Sequence, residues 1–198
     1  MRRPVCPAVP ALLVAALLGA CSGDGGASAP TTSAPSGPEP AVAEIVLRGD
    51  GLGVVDLGSP PDAAIEAVTA SLGAPTADTG WEPSASAYGT CPGEQIRGVE
   101  WDHLVLLFTD GDTDYGHGEH LFTWRITGAP PALGTATGLG YQARVADAEE
   151  LYPDAVEVTA PEDPFPGFLT IAAEGGEITA YLDGDVITNL EAGAGCGE

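Results

Sequence analysis

The chain has no lysine, one methionine and six arginines against 29 aspartates and glutamates in 198 residues. Without lysine there is no Schiff-base former and no lysine general base, and the lysine-bearing phosphate loop and Ser-x-x-Lys sets are excluded with it. Gly-x-Ser-x-Gly and His-Glu-x-x-His are missing too, which removes the exposed nucleophile turn and the two-histidine zinc helix. Cations are so scarce that the formal charge is −23. Such a surface repels phosphate backbones and anionic headgroups at short range, so nucleic acid is excluded as a partner and so is a basic patch on lipid. It favours solubility, cationic partners or divalent metal, although a solvated acidic surface requires no partner. Long apolar runs are lacking as well. The stretch from about Val9 to Leu18 falls short of the roughly 20 residues a membrane helix needs.

That stretch carries an address. Arg2 and Arg3 precede it and Leu18-Gly19-Ala20-Cys21 closes it, the charged head, apolar middle and small-residue end of a secretory signal. The closing four residues resemble the lipobox of bacterial lipoproteins. The resemblance implies that residues 1–20 are a signal peptide, that Cys21 receives diacylglycerol on sulfur, and that the new amine is acylated after cleavage. Two or three acyl chains are needed for lasting attachment, because each buried methylene contributes about 0.8 kcal/mol and a single chain holds marginally. The protein is then expected outside the cytoplasm, lipid-anchored to the outer face of the cell membrane. An ordinary secretory signal with a chance cysteine, or an uncleaved anchor, competes with this reading, but four positions matching in order favour the lipoprotein. Removing residues 1–20 leaves four arginines against 29 acids, a net charge of −25.

Residues 21–43 follow as a tether, since Ser22 to Ala43 is mostly Gly, Ala, Ser, Thr and Pro with no aromatic residue. Such a segment averages about 25 Å end to end and reaches roughly 70 Å extended. Of the four cysteines, Cys6 leaves with the signal and Cys21 takes lipid. Cys91 and Cys196 remain in an oxidising compartment, where two thiols point to one disulfide. A metal pair is the weaker reading, because neither cysteine has the closely spaced Cys or His partners of a zinc site.

Residues 44–198 are read as one α+β domain. Ser59-Pro60-Pro61-Asp62 and Gly73-Ala74-Pro75 bound its best helix. Ser59 is the expected cap, Pro60 the first helical residue, and Asp62 lies near the positive end of the dipole. Ile65, Val68 and Leu72, three and four apart, predict a buried stripe ending at Gly73. Strands are predicted over 97–101, 104–109, 121–127, 155–158, 168–173, 177–182 and 186–190, with turns at Gly175-Gly176 and Asp183-Gly184-Asp185. Gly51-Leu52-Gly53 precedes the helix, and 87 residues later Gly138-Leu139-Gly140 precedes a shorter helical stretch, Val145 to Tyr152. This weak repeat divides the domain into 44–132 and 133–198, two similar side-by-side units of short helix packed on antiparallel sheet.

The order Gly-Leu-Gly, Leu57-Gly58, Leu72-Gly73-Ala74-Pro75, Gly80-Trp81, Cys91-Pro92-Gly93, Trp101 with Leu104 and Phe108, Phe122-Thr123-Trp124-Arg125, the second Gly-Leu-Gly, Leu151-Tyr152-Pro153 and Gly195-Cys196 resembles a group of actinobacterial secreted lipoproteins of no assigned activity. Those proteins are similar in turn to tandem α+β modules of the β-lactamase inhibitory protein kind, which implies helices on a curved antiparallel sheet. The second helix departs from that pattern, being short and without Ser or Thr before Val145. Likeness of fold carries no function by itself.

Several groups invite chemistry. Asp110, Asp112 and Asp114 alternate, with Glu119 beyond them, like the opening of a calcium loop. An EF-hand needs Gly where Tyr115 stands and Glu where Leu121 stands, so a solvated hairpin tip is the stronger reading. Calcium is the one cofactor that stays as an alternative; zinc on His117 and His120 lacks a third ligand. Asp78-Thr79-Gly80 matches half of an aspartic protease pair and reads as a turn before Trp81. Trp81, Tyr88, Trp101, Phe108, Phe122 and Trp124 line either a binding face or the core, and apolar strand contexts favour the core. His103 reads as a polar turn or strand residue, and Arg97 and Arg125 are expected to find carboxylates. The leading expectation is a non-enzymatic, lipid-anchored binding module for a protein or envelope component. A calcium-dependent binder and an envelope hydrolase are the alternatives.

Overall fold

Prolines and a glycine bound the first helix, α1 (Pro61–Leu72), with Pro61 at its first position. The computed structural model describes residues 44–128, 133–154, 156–162, 166–173 and 175–197, all within the unit Pro40–Glu198. Residues 1–43, over which a signal peptide, a lipidated Cys21 and a tether are expected, lie outside the described residues. Ser59 does not cap α1, contrary to expectation. Its amide donates to the Asp56 carbonyl (3.2 Å) and its carbonyl accepts from the Leu121 amide (2.8 Å), so it fastens the start of the helix to the sheet. The buried stripe is Pro61, Ala64 and Val68, with Ile65 partly buried against the core. Leu72 is a second correction: it is 41% exposed. It stands in the last turn, beside a small hollow shared with Trp101 and Leu133, where Gly73 turns the chain away.

Nine strands follow: β1 (Ala77–Asp78), β2 (Glu82–Ser86), β3 (Gly89–Trp101), β4 (Leu104–Thr109) and β5 (His120–Ile126), then helix α2 (Val145–Leu151), then β6 (Val156–Thr159), β7 (Phe168–Ala173), β8 (Gly176–Asp183) and β9 (Val186–Gly193). They form one sheet in the order β1-β3-β4-β5-β9-β8-β7-β6, with β2 also on β3. Every pairing is antiparallel. The fold is thus mixed α+β, mainly an antiparallel sheet with two short helices. α2 lacks a Ser or Thr cap and substitutes Asp147, whose carboxylate accepts from the Arg144 amide at 2.7 Å. Its start is also held by the Val145 amide donating to the Asp185 carbonyl (3.0 Å).

β4 is apolar along nearly its whole length because it is buried on both faces. Leu104, Leu106 and Phe108 join α1, Trp124, Ile126 and the N-terminal Ile45, Leu47 and Leu52 in the main core. Val105 and Leu107 face the other way, into a smaller cluster with Cys91, Ile96 and Phe122. That second cluster is roofed by the bent start of β3 and by residues 194–197. Gly93 makes the bend in a left-handed conformation (φ 85°), where a Cβ would lie 2.5 Å from Asp110 Oδ1 and Thr109 Oγ1. The Cys91–Cys196 disulfide, 105 residues apart in sequence, pins the roof. Thr90 and Gly197 exchange backbone hydrogen bonds of 2.7 and 2.9 Å beside it.

Candidate functional site

A sheet has two faces, and this one covers them unequally. Ile171, Ile178, Ala180, Leu182, Ile187 and Leu190 point into the main core. By the two-residue strand period, Glu157 and Thr159 on β6, Phe168, Thr170 and Ala172 on β7, Glu177, Thr179 and Tyr181 on β8 and Glu191 on β9 point to the opposite face. Among the described residues no helix or strand lies over that half of the sheet, and each of these side chains is half-buried or exposed. Register lines them up: Arg125 opposes Glu191, Glu191 opposes Thr179, Thr179 opposes Thr170, and Thr170 opposes Glu157. Tyr181 opposes Phe168 in the next row.

Where the open face meets the roof of the first half lies a cleft of about 480 Å³, lined among others by Tyr88, Arg125, Tyr181 and Glu191. Arg125 Nε lies 2.8 Å from Glu191 Oε2, an ion pair by distance in which the N–H is angled away and makes no hydrogen bond. The Tyr181 hydroxyl donates to Glu191 Oε1 at 2.9 Å. On the opposite wall the Tyr88 hydroxyl donates to Glu100 Oε1 at 2.9 Å, and the ring lies against Gly98, where any Cβ would collide with it. Burial, the hydrogen bond to Glu100 and that carboxylate's charge push the Tyr88 phenol up to about 12. Burial and the charge and hydrogen bond of Glu191 push Tyr181 up to about 12 as well. Both hydroxyls are therefore neutral donors at physiological pH. The face presents aromatic rings, hydroxyls and carboxylates.

These two shifts have a defined sign. A phenol held above its ordinary value of 10.0 stabilises the fold below that pH, and the contribution disappears as pH rises through about 12. Ultraviolet titration of the folded chain is expected to show two tyrosines ionising near pH 12, each lost separately in Tyr88→Phe and Tyr181→Phe. Ionisation of all five tyrosines near pH 10 would contradict the two hydrogen-bonded pairs.

The acidic loop between β4 and β5 holds its carboxylates by separate contacts. Asp110 Oδ1 accepts from the Glu94 and Gln95 amides (2.8 and 3.0 Å), tying the loop to β3. Asp112 faces His117 at 3.0 Å, both well exposed. Among the described residues no three or more His, Cys, Asp or Glu are grouped to hold a metal ion, so Asp110, Asp112, Asp114 and Glu119 do not converge. His120 is buried and is no partner for His117: its Nε2 lies 2.6 Å from Thr113 Oγ1 and its Nδ1 2.8 Å from the Gly118 carbonyl oxygen. Asp112→Asn is accordingly expected to change unfolding free energy by less than about 0.5 kcal/mol, with or without millimolar calcium, in a denaturant titration.

The other expected roles divide between core and surface. Trp101, Phe108, Phe122 and Trp124 are buried, whereas Tyr88 joins the cleft. Asp78-Thr79-Gly80 is a turn in which the Gly80 amide donates to Asp78 Oδ1 (3.0 Å). Arg97 pairs with Asp78 at 2.6 Å and Arg125 with Glu191, as the scarcity of cations required. Tyr181 and Glu191 were not singled out in the sequence. The signal that points to Tyr181 is the alternation Ile178-Thr179-Ala180-Tyr181-Leu182, which puts one polar face opposite one apolar face.

No protein-family model, curated protein or solved structure matches the chain. No helix among the described residues is long and apolar enough to cross a membrane.

Proposed function

We propose that this chain is a lipid-anchored extracytoplasmic binding module, non-enzymatic, that engages a protein or envelope partner on the open face of β6 to β9. The observation that carries the reading is the half-buried row of threonines, Phe168 and Tyr181, over which no helix or strand lies among the described residues, with the Tyr88–Arg125–Glu191 cleft at its end. Half-buried aromatic residues beside a polar rim are the composition of contact surfaces between proteins. The address rests on Leu18-Gly19-Ala20-Cys21 and the tether composition.

We further read the domain as two similar α+β units, in line with the resemblance to secreted lipoproteins of the tandem-module kind. Each half runs from a buried Gly-Leu-Gly leucine, Leu52 or Leu139, through a helix into an antiparallel meander. The halves meet where β5 pairs with β9.

The binding reading is tested by placing a photo-crosslinking residue at Thr179 in the chain expressed in its host, with Glu150 on exposed α2 as control. Capture of one envelope component at Thr179 and none at Glu150 is expected; the reverse pattern sinks the reading. The anchor is tested by Cys21→Ala, which is expected to release the protein from membranes or leave an unprocessed precursor on fractionation. Recovery in membranes at the wild-type level and mature mass would remove the lipid assignment.

A further inference from the structure

We infer that the open face takes a protein surface bearing lysine or arginine side chains; this rests on the reading of that face as the binding surface. The first ground is an account of charge. All four arginines of residues 44–197 are committed to carboxylates within the chain: Arg48 to Asp50 and Arg97 to Asp78 at 2.6 Å, Arg144 to Asp185 at 2.7 Å and Arg125 to Glu191 at 2.8 Å. With no lysine anywhere, every arginine among the described residues already faces a carboxylate of the chain itself, which disfavours an acidic or phosphorylated partner.

The open face repeats that imbalance locally. Glu157, Glu177 and Glu191 stand on it by the strand period, and among the described residues the one cation beside them, Arg125, is paired with Glu191. A second copy of this chain would set carboxylates against carboxylates, a juxtaposition that costs affinity. Spacing argues for a broad partner in place of a lone cation. Glu157 and Glu191 lie three strand intervals apart with Thr170 and Thr179 between them, about 14 Å at the usual strand separation. An extended segment with basic residues four apart spans roughly 13 Å. Its side-chain stems then lie over Phe168 and Tyr181, whose ring faces attract cations.

The test uses the full chain isolated from its host membranes in detergent and two labelled 12-residue probes, one alternating Lys-Thr and one alternating Glu-Thr. The Lys-Thr peptide is expected to bind and to crosslink from Thr179. Glu157→Gln with Glu177→Gln is expected to weaken it about fivefold, while the charge-matched pair Glu149→Gln with Glu150→Gln on α2 weakens it less than about twofold. Equal loss from the two pairs would mean diffuse attraction to an acidic protein and overturns the inference, as does binding of spermine as tight as that of the peptide. Crosslinking of the Glu-Thr peptide at Thr179 as efficiently as Lys-Thr overturns the cationic partner and leaves the binding face standing. Capture of envelope components only from Glu150 defeats the binding face itself.

Discussion

Cys196→Ser is expected to lower the unfolding free energy by about 4 to 5 kcal/mol, the chain-entropy value for releasing a loop of this length. The bridge joins residues 105 apart and ties the two parts of the roof of the smaller cluster to each other. Without it, residues 194–197 keep the Thr90–Gly197 hydrogen bonds, the Ala194 amide to the Phe122 carbonyl (3.1 Å) and the Thr123 hydroxyl to the Ala194 carbonyl (2.6 Å). Each contributes about 0.5 to 1.5 kcal/mol net. Weakening of this roof reaches the cleft as well, because Cys196 and Gly197 line it together with Tyr88 and Arg125. Denaturant titrations of wild type with and without reductant, and of the variant, measure the effect. Midpoints that coincide in all three would show that the bridge does not stabilise the fold.

Trp124→Ala is expected to cost about 3 to 5 kcal/mol, the range for truncating a large aromatic residue in a packed core. Trp124 is fully buried on β5, and its indole Nε1 donates to the Arg48 carbonyl at 3.0 Å. The substitution leaves a cavity under the sheet and removes one of two hydrogen bonds to the Arg48 carbonyl, which keeps the Gly51 amide at 3.3 Å. Trp124→Phe retains most of the ring volume and loses the hydrogen bond, so it is expected to cost about 1 to 3 kcal/mol. Tyr181→Ala, on the open face, is expected to cost less than Trp124→Ala, because Tyr181 is only partly buried. A Tyr181 variant as unstable as Trp124→Ala in the same titration would place Tyr181 in the core.

Seven strands and both helices are legible in the sequence because their residues state their own environment. The run from Leu104 to Thr109 is apolar throughout, and Glu177 to Leu182 alternates. β1, β2 and the first half of β3 are not legible. Their residues include Pro83, Gly89, Pro92 and Gly93, which are poor in strand propensity, and they pair because β3 supplies a neighbour: Ala77 opposes Glu100 and Glu82 opposes Ile96. The start of α1 is misread for a similar reason. Ser59 is a good cap by type, but its carbonyl is taken by Leu121, 62 residues away in sequence.

What the sequence determined by itself is what composition and local order decide: an excess of acid that needs no fold to repel phosphate, the order Leu18-Gly19-Ala20-Cys21 on which the proposed anchor rests, and alternation that separates the sides of a strand. Tertiary structure alone decided which sides are covered. Tyr88, Arg125, Tyr181 and Glu191 are scattered over 104 positions and are brought to one cleft by the return of β9 to β5 and the fold of the β2–β3 hairpin onto Gly98. It also decided that Asp110 serves the Glu94 and Gln95 amides. A carboxylate goes to the unsatisfied amides that the fold places beside it, and contacts of that range are set by packing, which no local pattern encodes.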